Sequence, residues 1–315
     1  MRALTITPNG LAWSERPDPV PQGEQLLVRV RAAGVNPADL LQVRGHYPPP
    51  PGVPADVPGL ELAGEVVASG PLASHFGAGD RVMALVGGGA QAELALVDES
   101  VALPVPGDVS WACAGGFPEA FGTAYDALFS QGGLSLGTRV LITGAAGGVG
   151  TAAVQMAAAA GAQVTASVRR PEFHARLREL GAQKVLLPPE AAESGPFDLV
   201  LELVGGPMLA THLAQLGPTG RMIVIGVGAG RQVDINLSVL MARRGRIMAS
   251  TLRARPLSEK ALLAQSLSQR ILPLFATGRL LVPLAASFPL SQGSLGYERL
   301  GAGGNLGKVV LVAED

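Results

Sequence analysis

Thr143-Gly144-Ala145-Ala146-Gly147-Gly148-Val149-Gly150 is the stretch on which the reading of this chain turns. The short apolar run RVLITG (139–144) leads into it. GTAAVQMAAAAGA (150–162), rich in helix formers and closed by Gly161, leads out. A glycine turn between a strand and a helix is the context of a dinucleotide fingerprint. Read as A-x-G-x-x-G, Ala145 makes the tight turn, Gly147 lets the backbone approach a pyrophosphate, and Gly150 lets helix pack on strand. The helix N-terminus adds free amides and a positive dipole, so Ala146, Gly147, Gly148, Val149 and Gly150 are candidate phosphate contacts. The same residues fit T-G-x-x-x-G-x-G, the opening motif of short-chain dehydrogenases. Here, however, 142 residues precede it. The Tyr-x-x-x-Lys pair that such enzymes need is also absent: Pro51, Phe129 and Gly301 follow Tyr47, Tyr125 and Tyr297 at that spacing.

Downstream, apolar strands alternate with helices. QVTASV (163–168), DLVLELVG (198–205), RMIVIGVGAG (221–230) and RIMAST (246–251) read as strands, and PEFHARLRELGA (171–182) as a helix with Pro171 in its first turn. This predicts βαβ units and a doubly wound parallel sheet over 119–255. Residues 1–118 read instead as strand and turn. LLVRVRAAGV (26–35) alternates, LAGEVVASG (62–70) and DRVMALVGG (80–88) close on glycine, and the prolines at 48–51 exclude a helix there. Residues 256–315 open with a helix, SEKALLAQSLSQRIL, and end on the strand KVVLVAE. The fold class is α/β, with a dinucleotide domain (119–255) inserted between two parts of a β-rich domain (1–118 and 256–315).

The composition agrees. In 315 residues, 48% are hydrophobic and 16% charged, which excludes a disordered chain. The net charge of −1 argues against nucleic acid or an anionic membrane as partner. No signal peptide or 18-residue apolar span is visible, so the expected location is the cytoplasm. The single cysteine, Cys113, excludes an internal disulfide and a cysteine-rich zinc lobe, and is expected to be a small buried hydrophobe.

The second strand of the inserted domain ends Ser167-Val168-Arg169-Arg170. NAD binding usually wants a carboxylate at this place, to hold the ribose hydroxyls. Two guanidinium groups suit a phosphate instead. The reading is NADPH over NADH, with Arg169 and Arg170 on the adenosine phosphate; the alternative is a solvated arginine pair.

The chain resembles the medium-chain dehydrogenase/reductase superfamily and, within it, the zinc-free, zeta-crystallin-like quinone oxidoreductases. The resemblance runs over essentially the full length. It rests on Val35-Asn36-Pro37-Ala38-Asp39-Leu40, Gly45-His46-Tyr47-Pro48-Pro49-Pro50, Pro58-Gly59-Leu60-Glu61, the glycine turn, Phe121-Gly122-Thr123-Ala124 and Gly304-Asn305-Leu306-Gly307-Lys308. It implies a GroES-like catalytic domain, a Rossmann domain and a cleft between them. By the same resemblance, Asn36 and Tyr47 line the catalytic part of the cleft and Asp39 orients the loop. Thr123 approaches the nicotinamide, and Asn305 and Lys308 sit where the C-terminal loop returns to the cofactor. Asn36 could instead be a turn residue before Pro37, Tyr47 a residue packing on the prolines, Thr123 a helix-interior threonine and Lys308 a solvated charge. Val204-Gly205, Gly226-Val227 and Ser250-Thr251 close later strands, where ligands of such sheets bind.

Zinc-containing members carry Cys where this chain has Asn36, and Gly-His-Glu where it has Gly59-Leu60-Glu61. Amide and leucine are not zinc ligands. His46, His75, His174 and His212 are scattered and read as surface or loop residues. The expectation is no metal. Without a Lewis acid, the accessible chemistry is hydride addition to a conjugated acceptor, a quinone or an enone. The Asn36 amide and the Tyr47 phenol would donate to the developing oxyanion. A cofactor-binding protein with little catalysis is the competing class. Two departures bear on the adenosine pocket: Phe173 stands where many relatives have Lys, and Val185-Leu186-Leu187-Pro188-Pro189 where many have Tyr. Relatives dimerise through their last Rossmann strands, which predicts a homodimer through 246–251.

Overall fold

The alternation in 26–35 becomes the longest strand of the protein, β3 (Gln25–Val35), whose even-numbered residues from Leu26 to Ala32 are buried. In the computed structural model, which describes residues 1–314, the chain forms two units: Met1–Gly122 with Leu252 onward, and Thr123–Thr251. The division falls four residues inside each junction that the sequence suggested, 118/119 and 255/256. The first junction lies within a continuous helix, which composition alone does not split.

The first unit starts with a hairpin, β1 (Arg2–Thr7) and β2 (Gly10–Glu15). After β3 comes α1 (Pro37–Val43), then β4 (Glu61–Ser69), β5 (Arg81–Leu85), β6 (Leu94–Asp98) and β7 (Ala102–Pro104). Two helices follow, α2 (Trp111–Gly115) and α3 (Pro118–Tyr125), the latter running on into a π-helical turn, Asp126–Gln131. Helix α1 is a correction: its segment read as strand and turn. Pro37 in the first turn and Asp39 accepting from the Asn36 amide at 2.8 Å start a helix there.

The second unit runs β8 (Arg139–Ile142), α4 (Gly148–Ala159), β9 (Gln163–Ser167), α5 (His174–Glu179), β10 (Lys184–Leu186), α6 (Pro188–Ala191), β11 (Phe197–Glu202), α7 (Met208–Ala214), β12 (Leu216–Val224), α8 (Leu237–Arg243) and β13 (Arg246–Ala249). All pairings are parallel, in the order β10-β9-β8-β11-β12-β13. The order reverses between β8 and β11, the switch point where ligands of doubly wound sheets bind. The expected helix over 171–182 is a tight turn, Pro171–Phe173, followed by the six-residue α5.

The chain then returns to the first unit through α9 (Leu257–Arg270), α10 (Leu272–Ala276), β14 (Leu284–Pro289), α11 (Gly293–Gly301) and β15 (Lys308–Val312). Strand β15 pairs antiparallel with β3, closing a sheet of order β14-β15-β3-β4-β5-β7, with β6 also on β3. Leu26, Val28, Leu62, Val66, Val82 and Val97 fill its core. Among the described residues, no helix is long and apolar enough to cross a membrane.

Candidate functional site

In the first unit, the ends of β3, β4 and β15 bring three polar side chains together out of water. Asn36 is 5% exposed, Glu61 0% and Lys308 4%. Lys308 Nζ donates to Glu61 Oε1 and to Asn36 Oδ1, both at 2.6 Å. Asn36 Nδ2 donates to Glu61 Oε1 at 3.0 Å. The second Glu61 oxygen accepts from the Glu119 amide at 2.8 Å. The Asn36 amide is thereby fixed in one sense, with its oxygen on the ammonium and one N–H on the carboxylate. The reading of Lys308 as a solvated charge is corrected. A cation this buried is kept by its carboxylate partner.

Asp39 sits on the first turn of α1 with no exposed surface. It accepts from the amides of Asn36, at 2.8 Å, and Gly59, at 3.2 Å. Burial pushes its carboxyl up to about 6, against the pull of those amides and of Lys308. Both of its contacts are to backbone amides.

Tyr47 begins the proline loop. Its ring lies under the Arg253 guanidinium, 5.1 Å from centroid to Cζ, and its carbonyl accepts from Arg253 Nη1 at 2.8 Å. Arg253 is 4% exposed. Burial draws its pKa down from the usual arginine value. Asn305 carries a buried Oδ1 with no hydrogen-bond partner among the described residues. Such an acceptor is completed by an incoming N–H. Cys113 is half-buried, a departure from the buried position expected of it, because α2 leaves its thiol at the margin, 3.9 Å from the Val282 carbonyl.

In the second unit, the glycine turn has the geometry of an anion cradle. Gly144 has φ +58°, a conformation that disfavours a side chain. It is therefore Gly144, not Ala145, that makes the tight turn. A Cβ on Gly150 would lie 2.6 Å from the Gly144 carbonyl oxygen, so the helix rests directly on the turn. Gly147 is the exposed N-cap of α4, and a Cβ there would meet only the Gly144 carbonyl oxygen, at 3.5 Å. The first-turn amides, from Gly148 to Gly150, have no intrahelical acceptor, as at any helix start. Ala146 is buried beneath the turn. These residues fit a dinucleotide pyrophosphate.

The remaining candidates lie along the carboxyl ends of the same strands. Ser167 is buried, its carbonyl accepting from the Ala145 amide at 3.1 Å. Arg169 and Arg170 follow it, both exposed. Arg170 pairs with Glu172 at 3.2 Å, and Arg169 has no side-chain hydrogen bond or ion pair among the described residues. Val204 is half-buried against Gly144, and Val227 is exposed. A Cβ on Gly226 would strike the Leu203 carbonyl. Ser250 Oγ donates to Asp126 Oδ2 at 3.2 Å. Thr123 is buried in α3.

One pair escaped the sequence. His212 was placed among surface or loop residues, but on α7 it is 2% exposed, with Nδ1 2.9 Å from Glu202 Oε2. Glu202, at the end of β11, also accepts from the Thr143 hydroxyl and from the Val204 and Gly205 amides, each at 2.9 Å. Burial pushes its carboxyl up, but His212 and the Gly205 and Val204 amides outweigh burial and hold it below the ordinary carboxylate range. A single carboxylate thus ties the start of the glycine turn to the loop after β11. The signal that could have found it was an acid ending the apolar run DLVLE.

Comparison with known proteins follows these two halves. Residues 22–107 match the alcohol dehydrogenase GroES-like domain, and residues 148–268 match the zinc-binding dehydrogenase family. A quinone oxidoreductase of Lama guanicoe is 31% identical over 307 residues, 93% of this chain and 90% of that protein. A prostaglandin reductase-3 of Bos taurus is 36% identical over 258 residues, 78% of this chain and 64% of its own. Among solved structures, an alcohol dehydrogenase superfamily protein from Novosphingobium aromaticivorans superposes with a TM-score of 0.87 at 28% identity, covering 100% of both chains. A mycobacterial protein complexed with NADPH superposes with a TM-score of 0.88 at 25% identity, covering 99% of this chain and 100% of its own.

The zinc in the second family's description finds no fitting donors here. Asn36 and Leu60 offer an amide and an alkyl group, and Glu61 is already ion-paired with Lys308. Among the described residues, no three His, Cys, Asp or Glu side chains are grouped to hold a metal ion. With its GroES-like and Rossmann units and its full-length kinship to quinone oxidoreductases, the chain is an oxidoreductase and belongs to the quinone oxidoreductase-like family of medium-chain dehydrogenases/reductases.

Proposed function

We propose that this protein is an NADPH-dependent, zinc-independent reductase of quinones. The observation that carries the reading is the buried Lys308–Glu61–Asn36 cluster. It replaces metal donors with a fixed ammonium and an oriented amide. Bound NADPH would supply the hydride. The chain's own residues then have three tasks. The first-turn amides of α4 would hold the pyrophosphate, and Arg169, without a side-chain partner among the described residues, would take the adenosine phosphate. Asn305 Oδ1, a buried acceptor, would take an N–H from a bound ligand. Asn36, with one N–H left after Glu61, and Tyr47, through its phenol, donate to the acceptor oxygen as charge builds there. Such donors act when charge develops, so they raise turnover more than they tighten substrate binding.

The name of the bovine relative, a prostaglandin reductase, supports an enone as the alternative acceptor. The test is oxidation of NADPH and NADH, followed by absorbance, with benzoquinone, naphthoquinone and simple enones. Quinone-dependent turnover faster with NADPH supports the proposal. Turnover with enones alone selects the alternative. Cofactor binding without turnover on either class returns the protein to a binding role.

We also propose a cytoplasmic homodimer. Strand β13 is an open edge of its sheet, and nearby α8 leaves Leu237 65% and Met241 75% exposed. Light scattering that gives the mass of one chain at micromolar concentration rejects this assembly.

A further inference from the structure

The proline loop after α1 lacks the usual means of holding its own shape. Pro48, Pro49, Pro50 and Pro51 have no amide hydrogen to donate. What fixes the loop comes from outside it. At its start, the Tyr47 carbonyl accepts from Arg253 Nη1 at 2.8 Å. At its far end, the Ala55 carbonyl accepts from Gln42 Nε2 at 3.1 Å. These two anchors are joined, because Arg253 Nη2 donates to Gln42 Oε1 at 2.6 Å. The third arm of the guanidinium, Nε, donates to the Gly87 carbonyl at 2.8 Å. The run Gly87-Gly88-Gly89 is the floor on which the loop rests. A Cβ on Gly87 would come within 3.2 Å of Pro50 and Val53, and one on Gly89 within 3.4 Å of Pro54.

Arg253 and Gln42 are 4% and 5% exposed, and all three guanidinium bonds go to neutral acceptors. Asp39 and Glu119 attract the cation only at longer range. A buried charge without a carboxylate partner is costly, and an apolar residue of like volume would fill the space more cheaply. What an apolar residue could not do is join helix α1, both ends of the proline loop and its glycine floor through one rigid fork. The guanidinium also lies over the Tyr47 ring and fixes its plane, and so the direction of the phenol.

We propose that the Arg253–Gln42 pair is a clasp that sets the shape of the Tyr47–Ala55 loop and thereby determines which acceptors the enzyme takes. Arg253 and Gln42 are positioning residues that act through Tyr47 and the prolines. The acceptor part of this inference rests on the proposed reductase activity; the clasp itself does not.

The experiment uses the full chain carrying Arg253→Lys or Gln42→Leu. Lysine keeps the charge but cannot span three acceptors in one plane. Three quantities are read: hydrogen exchange of the Tyr47, Gly52, Val53 and Ala55 amides, KM for benzoquinone against naphthoquinone, and the NADPH Kd. The expected result is faster exchange at those amides and a roughly tenfold higher KM with a changed ratio between the two quinones, the scale of losing one hydrogen bond to a charged group. The NADPH Kd stays within about twofold. Unchanged exchange overturns the clasp. Faster exchange with unchanged KM values overturns its role in acceptor choice, as does an NADPH Kd that rises as much as KM. If Arg253→Lys does not fold, Gln42→Leu carries the same test. If the wild-type protein reduces no acceptor, the reductase proposal fails, and the exchange data still decide whether the clasp holds the loop.

Discussion

Lys308 Nζ lies 2.6 Å from Glu61 Oε1, with both side chains closed off from solvent and 247 residues apart in sequence. Each makes the other's burial tolerable. Lys308→Met therefore leaves a buried carboxylate without its counter-charge and is expected to cost about 3–5 kcal/mol. Adding Glu61→Gln should recover a large part of that loss. Urea denaturation of the two variants checks it; a double variant no more stable than the single one contradicts the pairing.

Asp39 makes a prediction about pH. Its carboxyl is raised from 3.8 to about 6 in the folded protein. Its contribution to stability is complete below pH 3.8 and is lost as pH rises through about 6. At roughly 1.4 kcal/mol per pH unit the span is about 3 kcal/mol. Asp39→Asn has no such titration. The wild-type protein should thus gain on the variant as pH falls from 7 to 4, in paired denaturation curves. A constant difference over that range would falsify the placement of Asp39 as a buried, titrating group. Lys308 and Glu61, which also act on Asp39, are common to both proteins.

Glu202 binds the start of the glycine turn through Thr143 and the loop after β11 through Val204 and Gly205. Glu202→Gln weakens these charge-assisted bonds. It should weaken NADPH and NADH by a similar factor, roughly tenfold. Calorimetric titration with both cofactors reads the two factors directly. A loss confined to NADPH contradicts the assignment.

Arg169→Ala should do the opposite, raising the NADPH Kd roughly tenfold while sparing NADH. Arg170→Ala should do less, because Arg170 is already engaged by Glu172. The same titrations distinguish them, and equal losses for both cofactors remove Arg169 from the phosphate.

What the sequence revealed was what is written locally. The glycine turn, its flanking strand and helix, and the alternation of β3 each occupy a continuous window, and each took the form that its residues favour. Helix α1 was also written locally, in Asn36-Pro37-Ala38-Asp39, but its seven residues are too few for a helical period to stand out against the strands around them. The site was legible where it is made of backbone, and illegible where it is made of distant charges. Lys308 meets Asn36 across 272 residues. No pattern near Lys308 distinguishes a buried ammonium from a solvated one. His212 lies ten residues from Glu202, yet only the packing of α7 on the sheet turns them toward each other. Arg253 stands in Leu252-Arg253-Ala254-Arg255, where two arginines look alike and only one is enclosed by the loop it holds.

The order of synthesis follows from where β15 pairs. The first unit's sheet needs β15 beside β3, but the whole of the second unit is encoded between them. On the ribosome, the parallel sheet is finished while β3 still has a bare edge and Glu61 still has no ammonium to meet. Domains fold as units, those synthesised earlier first. The inserted unit is therefore free to mature while the unit that encloses it waits for β15. A nascent chain stalled before Lys308 would carry a complete parallel sheet and an open, unfinished antiparallel one.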